Sequence, residues 1–375
     1  MERLSLERIK AAILHPDKKV RNTVLLYFEH SRQTDATIMP LVTQAYDRFG
    51  YEAFESHWIL PDLPQTMDTV AWVLQTIERV EAGTKINQTS SFASSIIGCL
   101  LCAEPTLLDY HATSIQALRH LDAQSKTRLK NRLAAYAMPY EKLWQNLFCI
   151  CEFFRSSHRL PFIASSYCYS IVKALARYPE QSSAQVLEML ADGSLFTADH
   201  LEGFVMQLIG KLRLNAAVPW LMHEYSIYST YSALARIGSE DVVWEIMRGF
   251  EGAKEANEED EEERSMSLFL LGDIHTDFSV RAALELAREE AARLKMFTGY
   301  ADVQADLLGA AVLNFAPCAI EPTRQYILGH DNSDLHFVRG CLLRACQIMD
   351  VTFPEYEDWL AVHLQEEARL LRVDS

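Results

Sequence analysis

The sequence predicts an all-α fold: a superhelix of stacked helical hairpins, running as one continuous array through residues 1–375. Three observations carry this. First, one short pattern recurs within Leu201–Arg288. Ile209-Gly210 is followed by Val218, Ile237-Gly238 by Val243, and Leu271-Gly272 by Val280. Second, each valine opens an i, i+3, i+4, i+7 run: Val218, Leu221, Met222, Tyr225; Val243, Ile246, Met247, Phe250; Val280, Ala283, Leu284, Ala287. That spacing lays apolar side chains along one helix face. Third, no stretch alternates strictly apolar and polar between turn residues, so strand content should be close to nil.

Each element follows in order. Glu2–Leu14 reads as a helix with Leu6, Ile9 and Ile13 on one side, broken at His15-Pro16-Asp17 because proline cannot continue a helix interior. A second helix runs on from Val20. Asp17 ahead of it is placed to accept backbone N–H bonds, and Asp277 and Asp334 hold similar places before Val280-Arg281 and Val338-Arg339. Thr34–Tyr51 gives the next helix, and Pro61-Asp62-Leu63-Pro64 is punctuation. Helix resumes at Met67–Val80, Thr84–Ser91 is a polar loop, and Phe92–Cys102, apolar on nearly every side, is a buried helix. Thr106–Leu118, Lys126–Ala137, Trp144–Phe154 and Ser165–Tyr178 follow, with breaks at Pro139 and Pro161 and a helix end at Pro179. Leu201, Phe204, Val205 and Leu208 make a first helix stopped by Gly210; Ile227, Thr230, Tyr231 and Leu234 make another stopped by Gly238. Glu251–Arg264 carries eight acidic and two basic residues and reads as a flexible, solvated insertion within the array. Trp359–Leu371 is a terminal helix with charge on its outer face, as the end of a stack requires.

A glycine-ended first helix, an Asp in the turn, then Val-Arg and an apolar second helix: this pattern resembles the HEAT and HEAT-like repeats. The match is best at Leu201–Phe250 and Met266–Glu290, and weaker at Ile9–Phe28 and Leu328–Ile348. The resemblance implies an α-solenoid in which the Asp and Arg tie neighbouring turns together. It is a resemblance of fold and implies no activity by itself.

Charge and composition narrow the classes. Residues 1–200 carry 21 acidic and 20 basic groups, and residues 201–375 carry 30 and 15. The acidic half would repel a phosphate backbone, which argues against a nucleic-acid partner. No apolar run reaches the ~18 residues a membrane span needs, and the N-terminus lacks the apolar core of a signal peptide. Eight cysteines in 375 residues are no disulfide scaffold and point to a reducing, cytoplasmic compartment.

Candidate sites each have an ordinary reading. Cys99-Leu-Leu-Cys102 is a CxxC, but it sits inside an apolar helix, and Cys149 and Cys151 are a poor second pair for zinc; core packing is the reading taken. His330, Asp331, Asp334 and His336 crowd together as metal-ligand types, yet they occupy an inter-helix turn where capping residues belong. Asp302 and Asp306 share a helix face and read as wet surface. Arg119, Lys126, Arg128, Lys130 and Arg132 form the most basic stretch and read as a solvated face. Trp220 and Trp244 are expected in the core or its flank. No phosphate-binding glycine loop and no nucleophile elbow is present. No catalytic, cofactor or metal residue is therefore assigned, and no cofactor is expected.

The function expected is that of a protein-binding scaffold or adaptor, using the concave surface that stacked repeats create. The acidic run has two readings, one that keeps an exposed loop soluble and one that makes it an electrostatic arm for a basic partner. The alternative is a HEAT-like enzyme, since bilin-attaching lyases and alkylation-repair DNA glycosylases are built from similar repeats.

Overall fold

A computed structural model describes residues 3–31, 35–81, 90–118, 121–197, 200–222, 228–252, 270–293, 303–330 and 335–373. Among them the fold is all-α: α-helices, short 3-10 turns and no strand. No described helix is long and apolar enough to cross a membrane. The expected loop at 84–91 falls almost wholly outside the described residues, as does the acidic run at 251–264 beyond its first two positions. The chain divides into two compact units, Arg32–Ile237 and a second made of Met1–Ser31 with Gly238–Ser375.

In Arg32–Ile237 four helices form a row, each packed on the next: Ala123–Tyr136, Phe162–Leu175, Leu201–Leu212 and Tyr228–Ile237. Their inner residues, among them Leu129, Ile171, Val172, Val205, Leu208 and Leu234, are buried. Gly210 lies inside its helix rather than ending it. A Cβ there would stand 3.0 Å from Arg236 Cδ and 3.1 Å from Ala233 Cα, so the missing side chain lets two helices approach. That helix ends on Arg213, left-handed at φ 48°. Gly238 does act as a stop, with φ 58° closing Tyr228–Ile237.

Several boundaries differ from the sequence reading. Pro179 opens the helix Pro179–Ala191 at its first turn, where the missing N–H is no loss. The stretch 106–118 is two short helices, Pro105–Tyr110 and Ala112–Ala117, parted at His111. Val218 begins only the four-residue Val218–Leu221. Trp220 and Trp244 are not in the core: they are 42% and 55% exposed. The reason is angular. Val218 and Val243 face inward, and positions one and two residues later turn about 100° and 200° away.

In the other unit, Asp17 caps Lys18–His30 as expected, its carboxylate accepting from the Lys19 amide at 2.8 Å. Arg21 donates to the carbonyls of His15 and Pro16 at 2.7 and 2.8 Å and so holds its own turn. At Asp277 the cap differs. The helix Asp277–Arg293 starts on Asp277 itself, and Thr276 and Ser279 cap each other: the Ser279 amide donates to Thr276 Oγ1 at 2.9 Å, and the Thr276 amide to Ser279 Oγ at 3.2 Å. Asp277 pairs instead with Arg3 at 3.2 Å. Val243 and Val280, the residues that open the sequence pattern here, are 0% and 2% exposed.

Asp277–Arg293 packs on Val303–Leu313, that on Leu335–Met349, and Lys18–His30 packs on Leu335–Met349 as well. The Leu4 amide donates to the Phe315 carbonyl at 2.9 Å, and Arg8 Nη2 to the Met349 carbonyl at 2.7 Å across 341 positions. The two ends of the chain therefore meet within one unit, which adds long-range contacts to neighbour-on-neighbour stacking.

Candidate functional site

The row of helices in Arg32–Ile237 carries a cavity of about 330 Å³. One helix writes its lining most clearly. Phe162, Ser165, Ser166, Tyr169, Ser170 and Lys173 recur at helical spacing along Phe162–Leu175, while Cys168, Ile171, Val172 and Leu175 face the core. Ala123–Tyr136 contributes Arg128 and Arg132, one turn apart, and Leu201–Leu212 contributes Gln207 and Lys211 at the same spacing. Tyr228–Ile237 adds Arg236, set against Gly210. The lining thus holds five cationic side chains and a single carboxylate, Asp62.

Two of the cations are fixed. Arg132 is 5% exposed; Nε donates to the Ala103 carbonyl and Nη2 to the Cys102 carbonyl, each at 2.8 Å. Burial lowers its guanidinium from the ordinary value, opposed by the nearby Cys102 and by Glu104 at 3.9 Å, and an arginine so lowered stays charged. Arg128 donates from Nε to Ser166 Oγ at 3.1 Å and lies 5.3 Å from the Phe162 ring centre. Ser170 donates to the Ser166 carbonyl at 3.0 Å, turning the serine stripe towards its own helix.

The lysines differ. Removal from water pushes the Lys211 ammonium down to about 7, the positive charges of Lys173 and Arg236 add to this, and Asp62 opposes it. The Lys211 side chain is nonetheless exposed, and water screens part of these interactions. The neighbouring positive charges disfavour the protonated state, Asp62 offsets part of this, and an entering anion would offset more. Chemically the cavity is a donor-rich, positively charged recess with an aromatic edge: Phe162 and Tyr169 are 55% and 43% exposed. No histidine lines it.

The basic stretch splits accordingly. Arg128 and Arg132 turn into the cavity, Lys126 and Lys130 are exposed, and Arg119 lies outside the described residues. Cys99 and Cys151 are buried, Cys102 is half-buried and Cys149 exposed; burial pushes the Cys99 thiol up, away from reactivity. Of the crowded turn at 330–336, only His330 and His336 among the candidate ligands are described, and they turn to different partners. His330 Nδ1 lies 2.8 Å from the Tyr326 carbonyl, Asp331 and Asp334 are outside the described residues, and His336 reaches the terminal helix instead. Asp306 is described and Asp302 is not. Sequence reasoning missed Lys173, Lys211 and Arg236. The signal was the polar stripe 165–173, which has the spacing of an apolar one.

Comparison of the chain with family models, with curated proteins and with solved structures gives no match in any of the three.

Proposed function

We propose that this chain is a binding protein, an adaptor of HEAT-like repeats, that grips an anionic group displayed by a partner protein. The observation that carries the proposal is the cavity of Arg128, Arg132, Lys173, Lys211 and Arg236 with Asp62 as its lone acid. Fixed guanidiniums recognise the planar or tetrahedral oxygens of a carboxylate or phosphate. The exposed Phe162 and Tyr169 at the edge offer apolar area to residues flanking that group. The row of packed helices supports the repeat reading. A cytoplasmic setting is part of the proposal, supported by eight free cysteines, five of them buried. The acidic run at 251–264 would add a contact of opposite sign for a basic patch on the same partner.

The test is calorimetric titration of the full chain with inorganic pyrophosphate, then with phosphorylated and acidic peptides. Binding at one site, weakened roughly tenfold or more by the double change Lys173→Ala with Lys211→Ala, is expected. Lys126→Ala, on the outer face, should leave it unchanged. Peptides should bind more tightly than pyrophosphate through the aromatic edge, and Phe162→Ala should remove that gain. No binding, or binding indifferent to the double change, would overturn the proposal.

A further inference from the structure

The terminal helix Tyr356–Val373 packs on Leu335–Met349. At that contact His336 meets His363 and Glu366. His336 Nδ1 lies 2.8 Å from Glu366 Oε2. The two imidazoles stack with ring centres 4.6 Å apart and planes inclined by 29°. One ligand-type atom from each of the three residues lies within 4.8 Å of the other two. His363 and Glu366 are three positions apart and share a helix face, so a single helix presents both to His336.

The surroundings are shaped for this meeting. His363 is 6% exposed. Gly340 stands one turn beyond His336, and a Cβ there would fall 2.7 Å from His363 Cε1 and 3.1 Å from its Nε2. The imidazole thus occupies space that any other residue at 340 would take. Arg339 Nη1 is 3.5 Å from Glu366 Oε2 and competes for the carboxylate.

We propose that His336, His363 and Glu366 bind a divalent transition-metal ion, zinc by ligand type. Two imidazoles and one carboxylate suit a borderline-soft cation, and three protein donors leave a fourth tetrahedral position for water or a further ligand. Bonds of ~2.1 Å place tetrahedral ligands about 3.4 Å apart, so the 4.8 Å limit closes by side-chain rotation, with Arg339 swinging away. The ion would fasten the last helix of the chain to its neighbour.

The experiment uses full-length protein stripped with chelator and then titrated with Zn²⁺ by calorimetry and with Co²⁺ by visible spectroscopy. One equivalent should bind, raise the melting temperature, and give the intense bands of tetrahedral cobalt. His336→Ala and Glu366→Gln should each weaken binding roughly tenfold or more, and His330→Ala, outside the cluster, should not. Because His363→Ala opens a buried space, its melting curve without metal is measured alongside. Absence of a tetrahedral cobalt spectrum, or zinc affinity unchanged in both His336→Ala and Glu366→Gln, would overturn the proposal.

Discussion

Arg132 donates from Nη2 to the carbonyl of Cys102 at 2.8 Å, across 30 positions, and its Nε serves Ala103 next to it. These carbonyls belong to the end of the Ser90–Cys102 helix, which lacks later turns to satisfy them. The guanidinium also sits at the negative end of that helix dipole. Arg132→Ala should therefore lower stability by about 2–4 kcal/mol, since it strands two carbonyl groups as well as opening space. Arg132→Lys should recover only part, because an ammonium cannot match both carbonyls from a flat fork. Urea unfolding of the three proteins gives the comparison; equal midpoints would contradict the capping role.

Lys211 ties binding to pH. Its ammonium is depressed to about 7 against an ordinary 10.5, so the unfolded chain binds the extra proton between these values and the native chain does not. Stability linked to this group accordingly rises from pH 7 towards 10 and is flat above. An anion in the cavity favours the ammonium and draws a proton in. Sulfate, which does not itself titrate in this range, should bind more weakly as pH climbs from 6 to 8. Proton uptake is read by calorimetry in two buffers of different ionisation enthalpy, and it should vanish in Lys211→Met.

His275 gives a dependence of the same sign at lower pH in the other unit. Its ring stacks on Tyr27, centres 3.9 Å apart, and burial pushes its imidazole down to about 3 despite Asp273. Below the ordinary value of 6.5 the unfolded chain takes up a proton that native His275 refuses, so stability falls on acidification. At pH 5 the loss is about 2 kcal/mol. His275→Phe should flatten the dependence between pH 6.5 and 4, measured as denaturant midpoint against pH. An unchanged slope would assign the acid sensitivity elsewhere.

Two glycines should respond with opposite sign. Gly210→Ala drives a methyl against Arg236 and the Ala233 backbone and should destabilise by about 1–3 kcal/mol, while also shifting a cavity cation. Gly249→Ala meets nothing within 4 Å inside Glu240–Gly252 and should stabilise by about 0.5–1 kcal/mol. Melting curves of the pair decide it.

Local pattern made the helices readable. Val218, Val243 and Val280 are buried where the spacing put them, and Asp17 caps as its position implied. In the sequence Gly210 looks like a stop, because the side chain it makes room for, Arg236, is distant along the chain. The cavity was half legible. Arg128 and Arg132 stood out as a basic stretch, but Lys173, Lys211 and Arg236 are ordinary single cations until packing collects them. His336 was noticed within its turn; its partners at 363 and 366 come from a helix whose register no short motif announces.

One unit is assembled from both ends of the chain, and synthesis is directional. Residues 3–31 leave the ribosome ahead of Arg32–Ile237, yet Phe315 and Leu335–Met349, which receive them, leave after it. Arg32–Ile237 is complete long before. At 5–20 residues per second the wait for the remaining third or so is on the order of ten seconds. Through that interval Ile9, Val20, Val24 and Phe28 lack their native cover. A nascent chain of this design carries an apolar segment that waits for its cover, and residues 3–31 are folded only after residues made later.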